Sequence, residues 1–355
     1  MSYKLDSRIG HQLAQGAAIP AHPLALTAER RLDERRQRAL TRYYVASGAG
    51  GLAVGVHTTQ FAIRDPGIGL YEPVLRLAAE EMDRADLARP TPLIRIGGIC
   101  GKSERALREA RTLSDLGYHA GLLSLSALAG ADDAALARHC RIVSEVIPIV
   151  GFYLQPSVGG CDLSYRFWRE FVEIENVAAI KIAPFDRYRT IDVIRAVSDS
   201  TRPIPLYTGN DDNIVMDLLT PYINRVGDEN HEVRMKGGLL GHWAVWTRAA
   251  VSLFHECRKL AESGAAIPKE LLRTAIEVTD ANAAFFDAAN RFVGCIAGLH
   301  EVLRRQGLLA GIWCLDPNEA LGPGQKEQID RVCAAYPHLS DDEFVRENLD
   351  KWLTP

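Results

Sequence analysis

One lysine stands in an otherwise apolar run, Val177-Ala178-Ala179-Ile180-Lys181-Ile182-Ala183. The run has the composition of a buried β-strand, where an unpaired ammonium is strongly disfavoured. Burial drives a lysine toward its neutral amine, and that lone pair is what attacks a carbonyl carbon. Bringing a lysine from ~10.4 to about 7 takes roughly 4–5 kcal/mol of differential destabilisation, which a desolvated interior can supply. Lys181 therefore reads as a nucleophile for imine formation. The competing reading is a lysine that snorkels to the strand end or pairs with a carboxylate such as Asp211. Tyr153 lies in Gly151-Phe152-Tyr153-Leu154-Gln155-Pro156, on the strand before Lys181. A phenol beside a carbinolamine can shuttle protons as the imine forms and as a C–C bond breaks. Its alternative is a core tyrosine with a satisfied hydroxyl.

The elements that must position these groups follow from hydrophobic patterning. Short β-branched runs at 17–19, 51–56, 93–97, 120–125, 147–153, 177–182, 204–208 and 235–240 alternate with longer amphipathic segments. Strand followed by helix, eight times over, predicts a parallel sheet, since parallel neighbours need a crossover. The spacing fits a closed barrel, and no G-x-G-x-x-G follows the first strand to favour a dinucleotide fold. The predicted fold class is α/β, a (β/α)8 TIM barrel over 1–263. Beyond it the strand signal stops; 267–305 and 317–353 read as helices, so 264–355 is a C-terminal helical extension packed on the barrel. Helix starts are expected at Ser103 and at Asp162-Leu163-Ser164, where side-chain oxygens cap free N–H groups.

In such a barrel the functional groups gather where strands end. Those ends carry His57-Thr58-Thr59, Tyr153, Lys181 and Tyr207-Thr208-Gly209. His57 either assists proton transfer, because imidazole titrates near neutrality, or is merely packed. Arg95, a charge inside the third strand, is either a carboxylate anchor or a cation paired outside the lumen. Asp211 and Asp212 either meet substrate hydroxyls or cap the helix beginning near Asn213.

Composition narrows the function classes. The 355 residues carry a net charge of −4, which disfavours nucleic acid or an anionic membrane as partner. The mixed-sign run Glu29-Arg30-Arg31-Leu32-Asp33-Glu34-Arg35-Arg36 reads as a solvated helix face. The seven cysteines are scattered without C-x-x-C or zinc spacing, so no disulfide frame, metal or cofactor is expected. Consecutive His255-Glu256-Cys257 point apart on a helix and make no ligand set. Residues 1–16 lack the apolar core of a signal peptide, and no apolar stretch is long enough for a membrane helix. A cytoplasmic protein is expected.

Three segments together resemble the dihydrodipicolinate synthase / N-acetylneuraminate lyase family. They are Phe152-Tyr153-Leu154-Gln155-Pro156, then Gly159-Gly160-Cys161-Asp162-Leu163-Ser164, then Asn176-Val177-Ala178-Ala179-Ile180-Lys181. Gly50-Gly51-Leu52-Ala53-Val54 with Thr58-Thr59 is similar to the family's carboxylate-binding segment. Tyr207-Thr208-Gly209-Asn210-Asp211-Asp212 and Gly237-Gly238-Leu239-Leu240-Gly241 are similar to its later loops. The resemblance spans roughly 10–260. It implies Lys181 as imine nucleophile and Tyr153 as proton shuttle. It also implies Thr58 and Thr59 as holders of the substrate carboxylate, with Gly209 and Leu240 against the substrate. A homo-dimer or homo-tetramer is implied as well.

Two departures argue against lysine-pathway synthesis. Ser157-Val158-Gly159-Gly160 stands where the synthases place an arginine, and Ser124-Leu125-Ser126-Ala127 where they carry a relay tyrosine. Ser124 is the candidate left at that strand end. The expected activity is a lyase or aldolase acting on a pyruvate-like 2-oxo acid through Lys181. Alternatives are a dehydratase or hydratase of a sugar-derived 2-keto acid by the same imine, and a barrel that binds a keto acid without turnover.

Overall fold

The computed structural model describes residues 4–354. Seven strands come first: β1 (Ala18–Pro20), β2 (Gly51–Val54), β3 (Ile94–Ile99), β4 (Ala120–Leu123), β5 (Ile149–Leu154), β6 (Val177–Ala183) and β7 (Leu206–Thr208). An antiparallel hairpin of β8 (Tyr222–Val226) and β9 (Glu229–Val233) follows, and β10 (Met235–Leu240) completes the main sheet. Its eight parallel strands run in the order β1-β10-β7-β6-β5-β4-β3-β2. The seam between β1 and β2 is closed by the Gly50 N–H donating to Ala18 O at 2.9 Å and the His22 N–H donating to Ala53 O at 2.8 Å. All eight predicted strands are present, and the hairpin is an addition that patterning missed. It buries little: Ile223 is 62% exposed, so no apolar stripe marks it.

Side chains alternate across each strand, and the two faces form two cores. Ile19, Ala53, Ile96, Leu122, Val150 and Leu239 fill the lumen. Helix Ser7–Gln15, capped where the Asp6 carboxylate accepts the Arg8 N–H at 2.7 Å, plugs one end of it. Ile9 and Leu13 of that helix join the lumen cluster, and the Tyr207 hydroxyl donates to Leu13 O at 2.9 Å. The outer core lies between strands and surrounding helices. Helix Tyr165–Val172 starts as expected, with the Ser164 hydroxyl accepting the Phe167 N–H at 3.0 Å. Ser103 differs from expectation: it is the first residue of its helix, and its hydroxyl meets His139 Nδ1 at 2.9 Å instead of capping.

The C-terminal extension consists of helices Lys269–Phe285, Cys295–Arg305, Gln325–Ala335 and Asp342–Leu353. The expected continuous helix over 267–305 is broken at 286–294. Asp287, Arg291 and Phe292 take left-handed backbone there, at φ of 57°, 56° and 66°. Such conformations are costly for non-glycine residues and persist only where surroundings impose them. Here the Asp287 carboxylate accepts Asn290 Nδ2 at 2.6 Å and the Gly294 N–H at 3.1 Å. The extension shares the barrel's outer core: Phe285, Leu299, Val302 and Trp352 cluster with Leu40 and Tyr43.

A buried carboxylate ties the two together. Asp341 accepts the Tyr43 hydroxyl at 2.7 Å, the Arg248 N–H at 2.9 Å and Gln306 Nε2 at 2.8 Å. Asp341→Ala strands three donors and is expected to lower the unfolding free energy by about 2–3 kcal/mol in urea titrations at neutral pH. An unchanged midpoint would show that other contacts dock the extension.

Candidate active site

Lys181 is 7% exposed and lies between Ala179 and Ala183, which belong to the lumen cluster. Strand alternation therefore sends its side chain inward. In register it faces Phe152 on one side and Tyr207 on the other. Its Nζ stands 4.6 Å from the centroid of the Phe152 ring. No hydrogen bond or contact ion pair engages the amine among the described residues. The room for its stem comes from Gly209: a Cβ there would fall 2.5 Å from Lys181 Cε and 2.7 Å from Ala183 Cβ.

The amine opens on a cavity that His57, Thr58, Gly209, Asp211 and Gly241 also line. Asp211 is buried, and its Oδ1 accepts the His242 N–H at 2.8 Å. Burial pulls the Lys181 amine down to about 8, against the opposing pull of the Asp211 charge. Burial likewise pushes the Asp211 carboxyl up to about 7, against the Lys181 charge and the His242 amide. Each group is thereby poised to change protonation near neutrality. Burial, helped by the Lys181 charge, lowers His57 to about 4, so at neutral pH its imidazole is uncharged. The Thr58 hydroxyl is left without a partner among the described residues. Gly241 keeps the space beside it open, since a Cβ there would lie 3.6 Å from Thr58 Oγ1 and 2.8 Å from Phe286 Cζ.

Five candidates for this site are directed elsewhere, Arg95 among them in the outward pairing that the sequence left open. Tyr153 faces the outer core, packed on Trp168 with ring centroids 5.8 Å apart, and its hydroxyl accepts the Leu163 N–H at 3.2 Å. A register shift between Ile149 and Val150 makes Phe152, not Tyr153, the partner of Lys181. Thr59 is consumed by its own turn: its hydroxyl accepts the Gly55 N–H at 3.0 Å and donates to His22 O at 2.7 Å. Leu240 belongs to an outer cluster with Trp243, so alternation gives the cavity Gly241 instead. Arg95 points outward between lumen residues Ile94 and Ile96 and pairs with Asp83 at 2.6 Å and Asp86 at 2.7 Å. Ser124 pairs with Ser126, Oγ to Oγ at 2.9 Å, and is not among the residues lining the cavity. Asp211 departs from the capping alternative, because Asn213 caps the following helix without a side-chain bond. Asp212 contributes its carbonyl, which accepts the Thr279 hydroxyl at 2.9 Å.

Sequence reasoning missed the aromatic lining. Phe152, Phe185, Phe286 and Phe292 all reach the cavity, as does Cys295. The last three come from the C-terminal extension, which therefore completes the site. Phe185 and Phe292 meet edge to face, centroids 5.8 Å apart, and both have left-handed backbone, at φ of 52° and 66°. No periodicity announces such residues; strand-to-lumen alternation could have found Phe152.

The Gly209 contact is open to test. Gly209→Ala is expected to keep the fold but displace the Lys181 stem. It should then slow carbamoylation of Lys181 by cyanate, read by peptide mass mapping, by about tenfold or more. Equal labelling would show that the gap is not what admits the lysine.

No family model matches the chain, and no curated protein matches it in sequence. Solved structures do. An N-acetylneuraminate lyase from Fusobacterium nucleatum superposes with a TM-score of 0.69 at 16% identity, over 91% of this chain and 99% of that one. A dihydrodipicolinate synthase from Oceanobacillus iheyensis gives 0.69 at 16%, over 93% and 99%. One from Bacteroides thetaiotaomicron gives 0.68 at 15%, over 90% and 98%. The chain thus has the closed-barrel fold of these lyases and synthases across nearly their whole length.

Proposed function

We propose that the protein is a divergent member of the dihydrodipicolinate synthase / N-acetylneuraminate lyase family. In this reading it makes or breaks a C–C bond beside the ketone of a small 2-oxo acid, through an imine on Lys181. One observation carries the reading: a buried amine, drawn down toward neutrality by burial and without a hydrogen bond or contact ion pair among the described residues, opens on a closed-barrel cavity. The neutral amine attacks the ketone carbon, water leaves, and a protonated imine results. That cation withdraws electrons from the adjacent carbon, so loss of a C3 proton gives an enamine. The enamine carbon adds to an aldehyde, the new alkoxide takes up a proton, and hydrolysis returns the lysine. In reverse, the same steps cleave a 4-hydroxy-2-oxo acid.

With Tyr153 turned away, Asp211 is the group suited to move protons. A carboxyl pushed up to about 7 gives and takes a proton near neutral pH at small cost. The unpartnered Thr58 hydroxyl suits the substrate carboxylate, and neutral His57 can donate from one ring nitrogen. Aldol chemistry is favoured over a merely binding barrel because two groups with perturbed protonation share one cavity.

Borohydride added with pyruvate is expected to leave a reduced adduct on Lys181, and Lys181→Arg to abolish it. An adduct on another lysine, or none, would refute the imine. Asp211→Asn is expected to cut kcat by about 100-fold or more. Tyr153→Phe should leave kcat/KM near the parent value; a collapse comparable to that of Asp211→Asn would restore the tyrosine as proton carrier.

A further inference from the structure

We infer that the second reactant at this site is an uncharged aldehyde with an apolar, aromatic-sized body. The forward product is then a 4-hydroxy-2-oxo acid with an apolar substituent on C4. The inference rests on the imine reading above and extends it to the other half of the cavity. The polar side chains of the lining are Lys181, Asp211, Thr58 and His57, with Gln155 the one remaining amide. The first four already serve the 2-oxo acid half of the reaction: Lys181 its ketone, Thr58 its carboxylate, Asp211 its proton transfers and His57 as a neutral donor. What is left is apolar or nearly so and includes Leu154, Val158, Phe185, Phe286, Phe292 and Cys295.

That surface decides among acceptors. No arginine is among the lining residues, so a second carboxylate would lose its water and gain no cation. A polyol would strand its hydroxyls against phenyl rings, since one amide cannot satisfy several donors. An aryl or branched alkyl body instead removes apolar area from water on both partners. The backbone is consistent with this use: Phe185 and Phe292, which meet edge to face, are both held in left-handed conformations. Such conformations persist only where surrounding structure imposes them, so both rings are held in place at the cavity.

The step balances without an added oxidant or reductant. The Lys181 enamine carbon attacks the aldehyde carbon, and the aldehyde π pair becomes an alkoxide. That alkoxide takes a proton from Asp211. Water then hydrolyses the iminium, freeing the product and the amine.

The full-length protein would be assayed with pyruvate and, separately, benzaldehyde, glyceraldehyde and succinate semialdehyde. The expected kcat/KM for benzaldehyde exceeds either other by about tenfold or more. Phe185→Asn and Phe292→Asn suit these left-handed positions, because asparagine tolerates that backbone. Each should lower the benzaldehyde-to-glyceraldehyde ratio by about tenfold. Calorimetric binding of phenylpyruvate and 2-oxoglutarate reads the same selectivity without turnover, and phenylpyruvate should bind more tightly. Preference for glyceraldehyde, succinate semialdehyde or 2-oxoglutarate would overturn the inference. If pyruvate is nonetheless trapped on Lys181, the imine stands and only the acceptor class falls. If trapping fails while phenylpyruvate still binds more tightly, the imine chemistry falls and the apolar selectivity is supported.

Discussion

Lys181 enters a desolvated lumen with the face of Phe152 4.6 Å from its nitrogen and no carboxylate in contact. An ammonium in that position is paid for by the rest of the barrel, and several features become intelligible as consequences. Ala179 and Ala183 leave the inward row of β6 narrow, and Gly209 removes the one Cβ that would block the stem. The Phe152 ring offers its negative face to the charged form, which limits the penalty without abolishing it. Asp211 lies near enough to be felt but not to neutralise the amine. Both groups are consequently drawn toward neutral pH, the condition under which one can attack a carbonyl and the other can pass protons.

The C-terminal extension is part of this arrangement. Its helices share the outer core with the barrel, and the Asp341 carboxylate fastens helix Asp342–Leu353 to Tyr43 and Arg248. That docking carries Phe286, Phe292 and Cys295 over the lumen. The cavity thus has a polar half supplied by strand ends and an apolar half shared between barrel residues such as Phe152, Leu154 and Phe185 and the 286–295 segment of the extension. A fold shared with N-acetylneuraminate lyase from Fusobacterium nucleatum does not by itself settle the chemistry; the side chains around the lysine do.

How far the sequence could be read depended on whether a face was specified. An ionisable residue amid six apolar ones has few explanations, so Lys181 was legible, as were the strands that alternate around it. Tyr153 was misread because spacing along the chain fixes height in a barrel but not the face. A one-residue register shift at Ile149 and Val150 puts Phe152 inside and Tyr153 outside. Leu240 fails by the same single step. Arg95 could have been resolved by noting that Ile94 and Ile96 flank it. The aromatic lining from 286–294 was beyond reach, because it depends on a left-handed break that no repeat or turn motif signals.

Lys181 is a buried amine without an ion-pair partner among the described residues, and its proton is loosely held. Lysine labelled at Cε with ¹³C reports it directly, the Lys181 signal being assigned by its loss in Lys181→Arg. Titrated in the folded protein, that signal is expected to move with a midpoint near 8. A midpoint at the ordinary lysine value of about 10.4 would mean that the amine is solvated or paired and not poised for imine formation.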